Sequence, residues 1–388
     1  MKSLFIGIKK GAGLILSVAS DRVVASPFRT KGGIELWLNS FFVVLPIVEI
    51  KKIMNEPLVA PALVAPSCTF VDALQAAQRE KRSVLCIGLD PQMYFMPPPL
   101  VREMRAVYGD TEEAIGELFY AFNRAIIDAV HPLVCMTKPQ AAFYERSHHG
   151  WKALEKTGAY ARYCELICVK DAKRFDGGDT ADAYADAHIG TVPPFPFFND
   201  ERVIAPIRMD AMTIGGYIGE DCVGRFAKRV KEHGTGIFVV DKTSFKPNSD
   251  IEQLVTDNGL SVWERLAHYV KEWSKGTEGR NGYGNVGVVM GATYPEDAVK
   301  MRGILPMATF LVPGLGKQGG SADEAVVSVN DDGFGIVVSD SRAALSAWMT
   351  DGPFKCDPKY FAQATANYLE SKNKELTTAL RRTGKCAW

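Results

Sequence analysis

Val169-Lys170-Asp171-Ala172-Lys173-Arg174-Phe175-Asp176 follows the apolar run Leu166-Ile167-Cys168, so the stretch reads as the end of a buried strand opening into a loop. Side chains two apart on a strand share a face, which sets Asp171 beside Lys173, with Asp176 just beyond on the loop. Desolvating two carboxylates and an ammonium at the end of an apolar strand costs several kcal/mol per ion. Stability does not repay that cost, so the charges read as chemical equipment. The competing reading is a solvated surface salt bridge.

The same strand-then-helix order recurs on both sides of this stretch. Strands are expected at 84–89, 133–137, 166–172, 208–214, 236–240, 286–291, 308–312 and 335–339. Most are short apolar runs without alternation, as strands buried on both faces are. Segments of helical period lie between them, at 111–130, 221–233 and 261–275. Eight strands with helical crossovers predict an α/β fold, a (β/α)8 barrel forming a single catalytic domain. An open doubly wound sheet is the alternative.

Chemistry in such barrels sits at the C-terminal ends of the strands. Read in order, those ends carry Asp90, Lys138, the Asp171/Lys173/Asp176 set, Thr213, Thr243-Ser244, Thr293, Gly314 to Gly320 with Gln318, and Ser339 to Arg342. Nearly every strand brings a polar or glycine-rich group to one rim, a pattern hard to read as structural. Gly314-Leu315-Gly316-Lys317-Gln318-Gly319 matches GxGxxG, but the acidic residue that would confirm a dinucleotide site is not evident. After the seventh strand, Gly314, Gly316, Gly319 and Gly320 fit better as a phosphate cradle, since glycine lets backbone N–H groups approach an anion. Arg342, just after the eighth strand, could add a bidentate contact to the same phosphate. The plainer alternative is a tight turn and a surface arginine.

The chain of 388 residues is 47% apolar and carries 45 basic and 45 acidic residues. No global field favours nucleic acid or an anionic membrane, so neither is expected as a partner. The eight cysteines form no CxxC pair, and Cys86, Cys135 and Cys168 fall in apolar strand-like runs. Free thiols in a reducing cytoplasm are therefore expected, with no disulfide framework. The six histidines are scattered without metal-ligand spacing, so no metal is expected. Residues 1–66 differ in character and read as an N-terminal extension. The apolar stretch 36–48 is too short to span a bilayer and contains Pro46. The basic residues Lys9, Lys10, Arg22, Arg29 and Lys31 allow a targeting segment, and Met54 allows a later translation start. The barrel domain is expected over 67–388, with a C-terminal helical tail.

The motifs resemble orotidine 5′-phosphate decarboxylase, and more closely its longer bacterial-type branch. The matching stretches are Leu85-Cys-Ile-Gly-Leu-Asp90-Pro91, Lys138-Pro-Gln-Ala-Ala-Phe-Tyr-Glu145, Asp171-Ala-Lys173-Arg-Phe-Asp176 and Thr180-Ala-Asp-Ala-Tyr-Ala185. They continue through Lys242-Thr-Ser244, Gly291-Ala-Thr-Tyr-Pro295, Phe310-Leu-Val-Pro-Gly-Leu-Gly-Lys-Gln318-Gly-Gly320 and Ser341-Arg342. The resemblance covers about residues 68–350 in one collinear order. It implies a homodimeric barrel that converts orotidine 5′-monophosphate to uridine 5′-monophosphate and CO2 without cofactor or metal. It also implies that Asp90 and Lys138 hold the ribose hydroxyls. Lys138, Asp171, Lys173 and Asp176 would form an alternating charge network, with Lys173 the proton donor. Asp176 and Thr180 would reach in from the partner subunit, Ser244 would contact the pyrimidine, and Gln318 and Arg342 would hold the phosphate.

Five positions depart from the family pattern. Phe175 stands where glycine is usual, Gly177 where isoleucine is usual, Gly215-Gly216 replaces Asn-Pro, and Lys317 replaces a small residue. None removes a charged catalytic group, so these departures bear on the rate more than on the reaction. Two rivals stand beside the decarboxylase. One is a Mg²⁺-dependent sugar-phosphate decarboxylase or aldolase of the same suprafamily, against which the Lys138-Pro-Gln and Lys242-Thr-Ser segments argue. The other is a catalytically silent nucleotide-binding barrel. A bifunctional uridine monophosphate synthase is disfavoured, because 66 leading residues are too few for a second catalytic domain.

Overall fold

The structure, a computed structural model, describes 63–193, 203–205, 207–245, 251–315, 319–350 and 352–388, together with the backbone of Lys2–Ile8, Ala12–Ala19 and Arg22–Pro27. Met54, the stretch 36–48, Gly316, Lys317 and Gln318 lie outside the described residues. The chain divides into two units, Met1–Pro57 and Leu58–Trp388. In the first, the three N-terminal strands form an antiparallel sheet, with Gly7 opposite Gly13 and Ala19 opposite Arg22.

In the second unit, eight parallel strands close into a barrel. They are β1 (Leu85–Leu89), β2 (Met136–Pro139), β3 (Ile167–Arg174), β4 (Ala211–Gly215), β5 (Gly236–Lys242), β6 (Gly284–Met290), β7 (Ala308–Pro313) and β8 (Ile336–Asp340). Neighbours follow chain order and β8 pairs with β1, so the doubly wound alternative is excluded. All eight expected strands are present, with ends shifted by a few residues. The apolar runs arise because each strand buries one face in the barrel and the other under helices. Cys86, Met136, Ile167, Val169, Ala211, Phe238, Val289, Leu311 and Val337 pack together as one buried cluster. Leu85, Ile87, Cys168, Ile237, Val239, Val288 and Val338 belong instead to the larger cluster that includes the helices.

Phe70, on the first helix of the barrel unit (Phe70–Lys81), belongs to the same cluster as Phe238. Their rings meet edge to face at 5.7 Å. Thr69 caps that helix reciprocally with Asp72. Val64 packs into the same cluster, and the Phe70 N–H donates to the Gly234 carbonyl. The long C-terminal helix, Phe361–Thr383, buries Leu369, Leu376, Ala379 and Leu380, a spacing that keeps one helical face against the barrel unit. Phe361 stacks on Phe122 of the Glu112–Val130 helix at 5.2 Å. Among the described residues no helix is long and apolar enough to cross a membrane. All eight cysteines are free thiols, with Cys86, Cys135 and Cys168 buried as expected.

Candidate active site

The site is built around a bulge in β3. Val169 and Lys170 pair in register with Ala211 and Met212 of β4, and the register then shifts so that Arg174 pairs with Ile214. The extra length falls on Asp171, Ala172 and Lys173, and Lys173 adopts a left-handed backbone with φ of 48°. A non-glycine residue seldom sits there, and bulges of this kind re-aim side chains beside active sites. Asp171 and Lys173 do end side by side, through this bulge rather than through flat pleating.

Asp171 is the hub. Its Oδ2 accepts from Lys138 Nζ at 2.8 Å, and its Oδ1 accepts from Lys173 Nζ at 2.5 Å and from Thr213 Oγ1 at 2.8 Å. The Asp171 and Lys138 side chains are buried, whereas Lys173 is 49% exposed. Burial alone would raise the Asp171 carboxyl, but the Lys138 and Lys173 ammoniums outweigh it and hold the group well below the usual carboxylate range. Burial likewise pulls Lys138 down, and the Asp171 and Asp90 carboxylates reverse that and raise it. Lys138 is thus a fixed cation, Asp171 a fixed anion, and Lys173 a cation anchored at one end and open to a ligand. Thr213 also accepts from the Lys173 N–H at 3.1 Å, so it secures both the hub and the strained backbone.

Asp90 follows β1 and stands near Lys138. Burial raises its carboxyl, opposed by Lys138 and by the Ser341 hydroxyl, and its buried Oδ1 has no hydrogen-bond partner among the described residues. Ser341 comes so close because Gly88 lacks a side chain: a β-carbon there would lie 1.7 Å from Ser341 Oγ. Tyr144 fixes the strand end by donating to the Leu89 carbonyl at 2.8 Å.

Ser244 is buried beyond the end of β5, and its backbone is held from several sides. Its carbonyl accepts from Thr293 Oγ1 at 3.1 Å, and the Phe245 carbonyl accepts from the Tyr294 hydroxyl at 2.6 Å. The preceding Thr243 N–H donates to Glu252 Oε1 at 3.1 Å, while Glu252 Oε2 meets the fully buried Lys242 ammonium at 3.1 Å. Lys242 also lies 4.0 Å from the centre of the Tyr294 ring. Gly291 permits this packing, since a β-carbon there would stand 2.6 Å from Ser244 Cα. Neighbouring Asp241 is buried, and neither carboxyl oxygen has a hydrogen-bond partner among the described residues. Burial and then the Glu252 charge push its carboxyl well above the usual range, which favours the neutral acid.

Among the described glycines after β7, Gly314 and Gly319 have φ of 107° and 94°, and the Gly320 N–H donates to the Gly314 carbonyl at 3.1 Å. Arg342 is exposed and opens a short helix, Arg342–Leu345, immediately after β8 and Ser341. Asp176 and Thr180 are exposed and stand outside the Asp171 hydrogen-bond cluster of this chain. Asp176 Oδ1 instead accepts from the Gly177 N–H at 2.8 Å. Sequence reasoning placed Thr213 on the rim without a role, although a polar residue closing an apolar strand was the available signal. Glu252 gave no signal, because nothing local marks it as the partner of Lys242.

The described part of the chain can now be set beside known proteins. Residues 83–334 match the family model described as "Orotidine 5'-phosphate decarboxylase / HUMPS family". The chain is 38% identical over 280 residues to an orotidine 5′-phosphate decarboxylase of Rhodopirellula baltica, covering 72% of this chain and 89% of the relative. It is 37% identical over 276 residues to the protein of the same name in Halobacterium salinarum, covering 70% and 87%. The solved structure of Leishmania donovani OMP decarboxylase superposes with a TM-score of 0.55 at 26% identity, covering 79% of this chain and 99% of that one. With the family model spanning most of the barrel and these relatives matched over most of their length, the chain belongs to the orotidine 5′-phosphate decarboxylase family.

Proposed function

We propose that this chain decarboxylates orotidine 5′-monophosphate to uridine 5′-monophosphate and CO2, the last step of de novo uridine monophosphate synthesis, with Lys173 as proton donor. The observation that carries the mechanism is the buried Asp171 clamped between Lys138 and Lys173 at the C-terminal mouth of the barrel.

When the bond to CO2 breaks, its electron pair stays on the ring carbon, which has no internal electron sink. The protein must then hold positive charge where that negative charge develops, and a preorganised ammonium does so without reorganisation. Lys173 meets that need and delivers one of its protons to the same carbon, becoming a neutral amine that solvent reprotonates. Asp171 keeps Lys173 aimed, and Lys138 keeps Asp171 ionised. No step in this sequence calls for a metal or a cofactor.

Around the reacting carbon, Asp90 and Lys138 take the ribose hydroxyls and Ser244 the pyrimidine. Arg342, Gln318 and the glycines Gly314, Gly316, Gly319 and Gly320 take the phosphate. Binding energy at that remote phosphate is available to the transition state. The active unit in this reading is a homodimer in which Asp176 and Thr180 serve the partner's site. Two observations support it: Asp176 is exposed, with its carboxylate on the Gly177 N–H and outside the Asp171 hydrogen-bond cluster, and the loops after the adjacent strands β3, β4 and β5 expose Phe175, Tyr217, Phe245 and Val255. Exposed apolar groups of this size mark interaction surfaces. A cytoplasmic setting accords with eight unpaired cysteines.

The test is to add orotidine 5′-monophosphate to the purified chain in EDTA and quantify both products. Equimolar uridine 5′-monophosphate and CO2 are expected. No product, or activity abolished by EDTA, would defeat the reading, the latter in favour of a Mg²⁺-dependent relative.

A further inference from the structure

Phe175 and Gly215 stand 40 residues apart in sequence but meet in space. A β-carbon on Gly215 would lie 2.8 Å from Phe175 Cδ1, 2.9 Å from its Cγ and 3.2 Å from its Cβ. The Phe175 side chain therefore rests against the one residue of β4 that has no side chain to meet it. Gly216 is covered as well, with Val239 Cγ1 at 2.7 Å and Leu266 Cδ1 at 2.9 Å from the place of its missing β-carbon. The last residue of β4 and the one after it are thus bare backbone positions, each overlaid by a neighbour's side chain.

The consequence falls on the segment that follows Lys173. Arg174 regains register with Ile214 after the bulge, and its guanidinium pairs with Glu145. Beyond it, the Gly178 N–H donates to Asp221 Oδ2 at 3.0 Å. Asp176 lies between these ties; its side chain accepts from the Gly177 N–H, and its backbone meets the Cys222 thiol. Ordering such a segment costs backbone entropy unless a contact opposes it. Phe175 against Gly215 is such a contact, directly before Asp176 and two residues after the left-handed Lys173.

The geometry points to Phe175 and Gly215 as a paired positioning latch for the decarboxylation, holding the turn that presents Asp176 to the neighbouring site. The two residues fit one another: a bulky residue in the loop is accommodated because Gly215 puts no side chain beneath it. The inference rests on the proposed function, because the latch matters to catalysis only if Asp176 takes part in it.

The experiment measures kcat and KM for orotidine 5′-monophosphate, uridine 5′-monophosphate affinity and melting temperature in Gly215→Ala, Phe175→Ala, Phe175→Leu and the Gly215→Ala/Phe175→Ala double variant. Either alanine substitution is expected to lower kcat about tenfold or more. Nucleotide affinity should stay within about threefold, as for a change that displaces a group without removing a binding contact. The double variant should be no worse than Gly215→Ala alone, because both lesions open the same latch, whereas independent sites would add. Phe175→Leu should keep about half of the activity or more, since a leucine still covers the glycine. Additive losses, or either alanine variant within about twofold of wild type, overturn the latch. If Gly215→Ala does not fold, the Phe175→Ala and Phe175→Leu pair decides by the same criteria. An inactive wild type overturns the proposed function and the latch with it; an active wild type with indifferent variants overturns the latch alone.

Discussion

The Thr213 hydroxyl donates to Asp171 Oδ1 across 2.8 Å, joining the end of β4 to the carboxylate at the centre of the site. The same oxygen atom of Thr213 accepts from the Lys173 N–H, so one side chain registers both the anion and the backbone of the proposed proton donor. A valine at this position keeps the shape and removes both interactions.

Thr213→Val is therefore expected to cost about 2–4 kcal/mol of stability, the net worth of one ordinary hydrogen bond and one to a charged carboxylate, and to lower kcat as well. We expect a fall of about tenfold or more in kcat with little change in uridine 5′-monophosphate affinity, since misplacement of the reacting groups is costly even when binding survives. Steady-state kinetics with a denaturant titration checks both. A wild-type kcat would remove Thr213 from the positioning apparatus.

The Lys242–Glu252 pair offers a test of what holds Ser244 in place. Lys242 is fully buried, so Glu252→Ala leaves an ammonium without its carboxylate and the Thr243 N–H without its acceptor. Breaking a buried pair from one side typically costs about 3–5 kcal/mol. Lys242→Met in the same background should restore much of the stability, because the stranded charge is then gone. Urea unfolding of the three proteins measures this, and a Glu252→Ala variant as stable as wild type would show that the pair is not holding the β5 end.

Lys170 gives the pH dependence. It neighbours Asp171 in sequence but is buried apart from the hub, meeting His188 Nδ1 at 2.9 Å and the Trp151 ring at 5.5 Å. Burial brings its ammonium from an ordinary 10.5 down to about 7. Below pH 7 the folded and unfolded chains both carry this proton, and the burial cost is felt in full. Between about 7 and 10.5 the unfolded chain holds a proton that the folded one has released, so stability from this group rises with pH. Lys170→Met lacks that gain, and its melting temperature relative to wild type should fall by about 2 °C or more between pH 7 and pH 10. A difference that is flat with pH would mean Lys170 keeps its ordinary titration.

The shared-site reading predicts complementation. A mixed dimer of Lys173→Ala with Asp176→Ala collects both lesions in one site and leaves the other intact. Random reassortment makes about half of the dimers mixed, so about a quarter of all sites should recover when the two variants are refolded together. Mixed dimers confirmed by mass spectrometry but inactive would place Asp176 in its own chain's site or in none.

The barrel was legible because parallel strands buried on both faces must be short apolar runs, and each of the eight announced itself in that way. The Asp171/Lys173 pair was legible because charges at the end of such a run are anomalous. Its geometry was not: pleating predicts a shared face, whereas the structure reaches the same juxtaposition through a register shift and a left-handed lysine. Contacts between distant segments were hidden altogether. Glu252 carries no local mark of its bond to Lys242, and Phe175 and Gly215 looked like two unrelated irregularities until the fold laid one on the other.

The central claim is that Lys173, anchored by Asp171, supplies the charge and the proton for decarboxylation. The most direct measurement is the rate of orotidine 5′-monophosphate turnover by Lys173→Ala against wild type, with folding verified by circular dichroism. The account predicts a near-native fold, since a half-exposed rim lysine adds little to the core, and a rate lower by many orders of magnitude. A variant that keeps more than about a tenth of the wild-type rate, a barrier change under ~1.4 kcal/mol, would contradict it.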